Sequence, residues 1–316
     1  WPYIVPAPYH NMFGANHVPA ALRHEVERQD PHPVYGAYMG NKIASAFQRD
    51  EVRDKVIPAY MGLIKQCDDQ LGCLLDHLDK TGRMADTMIV LTSDHGDYLG
   101  DHWLGEKDLF HEASVKVPLI IYDPRLEASS TRGTTCDALV ESIDLAATFV
   151  DAAGGTVPEH ILEGKSLLPW LWGQKPSWRS YVISEFDYSA TPQAAKLGLE
   201  LRDARLFMVF DGRYKMMHAE GGMRPMLFDL HEDPEEFYDL AKGSDHQNVI
   251  DKLYKNLHHW GLRLSQRVTK SDNDILAMRG RSLKRGILPF LVDGSEVPDE
   301  LIEKYIGPIR QDYIKD

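Results

Sequence analysis

The chain has 316 residues, and its 35 Lys plus Arg against 48 Asp plus Glu leave a formal net charge of -13. With 43% hydrophobic and 26% charged residues it has the composition of an ordinary folded chain, which excludes collagen, low-complexity disorder and, with no apolar run near 18 residues, a membrane-spanning helix. The acidic balance excludes a general nucleic-acid binder, because nonspecific affinity for phosphate backbones needs clustered Lys and Arg, and nothing points to a membrane partner.

From the amino terminus to about residue 48 the chain is rich in Pro, His, Asn and Gly and reads as irregular. His10, His17, His24 and His32 in this stretch read as surface histidines. Ile57, Tyr60, Met61, Ile64, Cys67, Leu71, Leu74, Leu75 and Leu78 then recur at spacings of three and four, predicting a helix over about 53–80 that stops near Thr81-Gly82. Gly72 in that helix marks a close approach to a neighbouring element. The three cysteines, Cys67, Cys73 and Cys136, are too few and of odd number for a disulfide framework. They read as reduced thiols of a cytoplasmic protein, Cys67 and Cys73 as small buried apolar groups. Thr87-Met88-Ile89-Val90-Leu91-Thr92 and Val117-Pro118-Leu119-Ile120-Ile121-Tyr122 are apolar runs without alternation, as for strands covered on both faces of a parallel sheet. A helix over about 141–153 follows.

After Gly154-Gly155, Leu206-Phe207-Met208-Val209-Phe210 and Arg213-Tyr214-Lys215-Met216-Met217 flank Asp211-Gly212, predicting an antiparallel hairpin. Leu227-Phe228-Asp229-Leu230 adds a strand, Asp229 and Asp233-Pro234 set a turn and a helix start, and a helix over about 247–268 carries His258, His259 and Trp260 as packing or capping residues. The division expected is a catalytic α/β portion over 1–175, a small α+β subdomain over 176–269, and an extended arm over 270–316. The arm's scattered apolar residues suit contact with another subunit, hence a homo-oligomer.

Chemistry concentrates between the two apolar runs, where ten of the nineteen residues from 94 to 112 are Asp, Glu, Lys or His. A solvated surface loop has the same composition, but this one leaves the carboxyl end of a strand, where α/β sheets place ligands. Asp94 and His95 leave the strand first, and Gly96 relieves the backbone. A carboxylate and an imidazole suit one divalent cation, Mn²⁺, Zn²⁺ or Ca²⁺. Lys107 can return an ammonium to the same point, as a charge for a tetrahedral anion. His102 and His111 are secondary candidates, as supporting or substrate-contacting groups.

This stretch resembles the sulfatase branch of the alkaline phosphatase superfamily, in which a strand, Ser-Asp-His-Gly, a Gly and Lys segment and a Val-Pro strand occur in this order. Ala7-Pro8-Tyr9-His10-Asn11-Met12, Asp68-Asp69-Gln70-Leu71-Gly72, Glu141-Ser142-Ile143-Asp144-Leu145, Leu227-Phe228-Asp229-Leu230, Asp233-Pro234 and Glu236 extend the resemblance over roughly 1–270. It feels nearest to phosphonate monoester hydrolases and related phosphodiesterases, ahead of arylsulfatases. The resemblance implies an alkaline-phosphatase-like sandwich with a mostly parallel sheet, and a small antiparallel subdomain. It implies Asp94 and His95 as metal ligands and Lys107 on the transferred group of a small anionic ester. It also implies a formylglycine nucleophile made from a Cys/Ser-x-Pro-x-Arg segment. These 316 residues contain no such segment, so the nucleophile is expected upstream and the chain reads as the carboxyl-terminal portion of a hydrolase. The alternative is a noncatalytic relative that binds an anion or a partner.

Overall fold

A computed structural model describes residues 3–157, 162–262 and 276–279. The opening is more regular than its composition predicts: α1 (Pro33–Met39) and α2 (Lys42–Phe47) form inside it. Each carries its own start signal. His32 accepts from the Val34 amide with Pro33 at the first helical position, and Asn41 accepts from Ile43 and Ala44. His32 is therefore a buried cap, not a surface histidine.

α3 (Asp50–Lys80) matches the expected long helix, with Asp50 and Glu51 facing the positive end of its dipole and Thr81 at its end. It buries Ile57 but leaves Ile64 and Leu74 about half exposed. Gly72 meets no atom within 4 Å where a Cβ would stand, so the expected close contact is absent there. Cys67 and Cys73 are exposed rather than buried, and Cys136 is exposed as well.

β1 (Ile89–Thr92) and β2 (Leu119–Tyr122) occupy the two apolar runs, with α4 (Glu112–Val115) between them. They pair with each other, antiparallel, in the register Leu91 to Ile120. The mostly parallel sheet is not what these residues form. A parallel pair needs a crossover helix to bring the chain back, and residues 93–118 hold only a 3-10 turn at Asp101–Trp103 and the single turn of α4. Nor are the strands covered on both faces, since Leu91 and Ile120 are exposed.

α5 (Ile143–Ala152) and α6 (Leu168–Leu171) lead to a four-stranded sheet. Its strands are β3 (Val182–Asp187), β4 (Arg205–Phe210), β5 (Tyr214–Ala219) and β6 (Met226–Asp229), in that order and antiparallel throughout, with α7 (Pro192–Lys196) between the first two. The hairpin turns on Gly212-Arg213, one residue later than expected, because Asp211 still pairs with Tyr214 and its carboxylate takes the amides of Arg213 and Tyr214. Asp229 sets a turn through the His231 amide, but no helix follows it.

Alternation divides this sheet's side chains. Val209, Met216 and Leu227 face α8 (Gln247–Gly261) and pack on Ile250 and Leu253. Leu206, Met208, Met217, Ala219, Met226 and Phe228 face the other way, onto Tyr35, Tyr98, Leu109 and Phe110. Burying each such side chain contributes about 1.5–3 kcal/mol. The main core thus joins the four-stranded sheet directly to the loop after β1. His258 and His259 are exposed and neither pack nor cap, while Trp260 meets Phe207 edge to face. No helix among the described residues is long and apolar enough to cross a membrane. Apart from 276–279, the arm expected over 270–316 lies outside the described residues.

Candidate functional site

The loop from Ser93 to Lys116 is built from hydrogen bonds to its own backbone. The Gly96 amide donates to the Ser114 carbonyl at 2.7 Å, Tyr98 to Glu106 at 2.8 Å, and Gly100 to Leu104 at 3.0 Å. Leu99, His102, Trp103 and Glu106 all have left-handed φ, between 47° and 61°. Such conformations cost of order 1–3 kcal/mol each outside glycine and concentrate where a loop must hold a special shape. Gly96 has no left-handed φ. Its requirement is space, since a Cβ there would stand 2.0 Å from the Ala113 carbonyl oxygen.

Asp94 and His95 lie together at the carboxyl end of β1, with His95 Nε2 3.6 Å from Asp94 Oδ2. Ser93 donates to the His95 carbonyl, and the His95 amide donates to Asp94 Oδ1 at 3.0 Å, which turns the carboxylate back over the loop. The neighbouring imidazole is the main influence holding the Asp94 carboxyl below its ordinary value. His95 Nδ1 lies 2.7 Å from the Gly96 carbonyl. A carbonyl only accepts, so Nδ1 donates to it, and Nε2 is the ring nitrogen left for a contact on the side of Asp94.

This donor set suits a divalent cation. Two ligand atoms at about 2.1 Å from one ion lie roughly 3.0 to 3.5 Å apart for octahedral to tetrahedral angles, close to the separation found. With Asp94 exposed and His95 half-buried, both are open to solvent.

Lys107 is exposed, and its carbonyl accepts from the Ser114 hydroxyl at 2.5 Å. Three carboxylates that sequence reasoning did not single out share its surroundings: Asp97, Glu106 and Asp108. Burial raises all three above their ordinary values, and Lys107 opposes the rise in each. His95 opposes it at Asp97 and Asp108 as well. The ammonium, the imidazole and these acids therefore form one electrostatic neighbourhood. Asp97 also accepts from the Tyr3 hydroxyl. In sequence these acids look like the solvated charges of any surface loop; only their burial sets them apart.

His102 and His111 are not exposed loop histidines but buried ones, 4% and 2% accessible. His102 Nδ1 bonds Glu27 at 2.7 Å, and His111 Nδ1 meets the Tyr98 hydroxyl at 3.1 Å. Glu27, His102 and His111 are the group of three such side chains among the described residues whose ligand atoms all lie within 4.8 Å of one another. Their geometry suits a packed polar core better than an ion. The two rings stack 3.8 Å apart and within 3° of parallel, which sends in-plane lone pairs along parallel planes instead of to one point. Burial holds His111 well below its ordinary value, aided by the charges of His102 and Lys215.

Two family models match the chain: N-sulphoglucosamine sulphohydrolase, C-terminal, over 100–262, and Sulfatase over 9–155. The chain belongs to the sulfatase family. It is 33% identical over 284 residues to the multifunctional alkaline phosphatase superfamily protein PehA of Trinickia caryophylli, covering 84% of this chain and 54% of that protein. An arylsulfatase of Clostridium perfringens is 30% identical over 63% of this chain and 38% of its own length. Among solved structures, the phosphonate monoester hydrolase of Silicibacter pomeroyi superposes with a TM-score of 0.75 at 29% identity, over 84% of this chain and 54% of that one. The enzyme of the same name from Agrobacterium radiobacter gives 0.74 at 30%, over 87% and 57%. This chain therefore has the sulfatase fold and spans about half the length of the first of these relatives.

Proposed function

We propose that this chain supplies part of the active site of a metal-dependent hydrolase acting on phosphonate monoesters, phosphodiesters or sulfate esters. One observation carries the reading: a carboxylate and an imidazole whose Nδ1 is engaged by a backbone carbonyl stand 3.6 Å apart, Oδ2 to Nε2, at a strand end. Asp94 and His95 would hold one divalent cation, Mn²⁺, Ca²⁺ or Zn²⁺. Bound there, the cation would supply Lewis acidity toward the ester oxygens. Lys107 would set its ammonium, beside half-buried acids, against the negative charge that builds on the transferred group. The nucleophile, of formylglycine type, would come from a segment outside these 316 residues, as would the remaining metal ligands. Similarity to both phosphonate monoester hydrolases and an arylsulfatase supports the ester class and leaves phosphorus preferred over sulfur as our choice.

The test is hydrolysis of a phosphonate monoester, a phosphodiester and an aryl sulfate by this chain alone and by a longer product of the same gene, each with and without chelator. The longer product should show chelator-sensitive turnover that Asp94→Ala abolishes, and the 316 residues alone should show none. A longer product that carries no nucleophile segment and binds an anion without turnover would establish the noncatalytic reading instead.

A further inference from the structure

Lys215 lies in β5, on the sheet face that carries Met217 and Ala219, and is 1% accessible. A lysine so buried needs partners for its charge and its donors, and here it has two hydrogen-bond acceptors and a second carboxylate at ion-pair distance. Its Nζ lies 2.6 Å from Glu112 Oε1, 2.8 Å from Glu236 Oε1 and 3.2 Å from the Phe110 carbonyl. The two acceptors belong to the returning end of the site loop, and the second carboxylate supports the same place, because Glu236 Oε2 accepts from the Glu112 amide at 2.7 Å. Glu236 is itself 2% accessible and holds a left-handed φ of 54°. Burial pushes the Glu112 carboxyl up, but the charges and hydrogen bonds of Lys215 and then Lys116 together keep it below its ordinary value.

The connection continues from Glu112 to the candidate site. Glu112 opens α4, and two residues later Ser114 receives the Gly96 amide on its carbonyl and donates its hydroxyl to the Lys107 carbonyl. One residue thus fixes the backbone beside His95 and the backbone of Lys107 together. Its helical turn is fixed in turn by a cation from the four-stranded sheet.

We propose that Lys215 is a positioning residue: a buried strut, with Glu112 and Glu236, through which the four-stranded sheet sets the relative placement of Asp94, His95 and Lys107. The proposal rests on the metal-site reading above. Stability alone is a poor reason for the arrangement, because well-packed apolar side chains commonly serve as well as buried ion pairs or better. What apolar packing lacks is direction. Two directed hydrogen bonds from Lys215, to Glu112 and the Phe110 carbonyl, and a third from the Glu112 amide to Glu236 fix the loop end in position and rotation, which a two-ligand site with a separate cation requires.

The test uses Lys215→Met, which keeps the length and removes the donors, and Lys215→Met/Glu236→Gln, which leaves less unpaired charge should the single variant not fold. In the longer product of the same gene, amide exchange is read at Gly96 and Glu112 and, for comparison, along the β4–β5 ladder; Mn²⁺ broadening is read at the His95 ring resonances. Protection at Gly96 and Glu112 should fall by about tenfold or more, as for loss of charged hydrogen bonds. The ladder should stay within about twofold, as for a local opening, and the Mn²⁺ needed to broaden His95 should rise. Unchanged protection at Gly96, or an equal loss along the ladder, would overturn the strut. If Mn²⁺ leaves His95 untouched in the unsubstituted longer product, the metal reading fails, while the exchange comparison still decides what Lys215 does.

Discussion

Gly96→Ala perturbs the site through space alone. A Cβ on Gly96 would lie 2.0 Å from the Ala113 oxygen, 3.0 Å from its carbonyl carbon and 3.3 Å from Ser114 Cα. Ordinary contact begins near 3.4 Å, so the two backbones must part by about 1.4 Å, and rigid backbone is all that faces the new methyl. Such overpacking costs about 1–3 kcal/mol. The Gly96 to Ser114 hydrogen bond, 2.7 Å long, breaks with the separation and adds about 0.5–1.5 kcal/mol. The sum is a loss of about 1.5–4.5 kcal/mol. Gly72→Ala is the matched control. It sits inside α3 with open space around it, where the gain in helix propensity is about 0.5–1 kcal/mol. Urea denaturation of both variants beside the unsubstituted protein measures the difference. Opposite signs are expected, and in Gly96→Ala the His95 resonances should shift as well. If Gly96→Ala proves as stable as Gly72→Ala, the packing of this loop against α4 is not as described.

Three further outcomes follow from other parts of the molecule. Asp144 is fully buried, takes the amides of Glu141 and Lys165, and pairs with both terminal nitrogens of Arg179. Asp144→Asn should therefore cost about 3–5 kcal/mol in denaturation, and a loss under about 1 kcal/mol would place the pair in the weak surface class. Burial pushes His32 down to about 4 and His111 well below its ordinary value. Both stay neutral in the fold but take protons when unfolded, so their contribution is complete above about pH 6.5 and is lost as pH falls toward 4. Stability measured across that window should drop with acid, and His111→Phe should remove about half of the slope due to the pair; an unaltered slope would show that His111 does not contribute. Finally, all three thiols are exposed, so a thiol reagent should label three sites on the native protein, and slow labelling seen only on unfolding would contradict their placement.

The sequence by itself determined the pieces whose cause is local. The long helix follows from apolar residues at spacings of three and four, the hairpin from a Gly turn between two apolar runs, and the Asp94-His95 pair from adjacency at a strand end. The order of short motifs was enough to show the family. What the sequence could not show were facts about distant neighbours. Strand direction at β1 and β2 depends on how the intervening chain returns, and an apolar run reads the same in either direction. β3 lies in a run of mixed polarity, Val182–Asp187, and becomes a strand because β4 offers it an edge. His102 and His111 look identical to solvated histidines until Glu27, 75 residues away from His102, and Tyr98 close over them. Lys215 is the clearest case. In sequence it is one lysine in a hairpin, in phase with apolar Met217 and Ala219; only folding brings Glu112 and Glu236 to it, 103 residues before and 21 after. Local chemistry names the groups able to react. Burial and long-range pairing, which exist only once the chain has folded, decide which of them are held still.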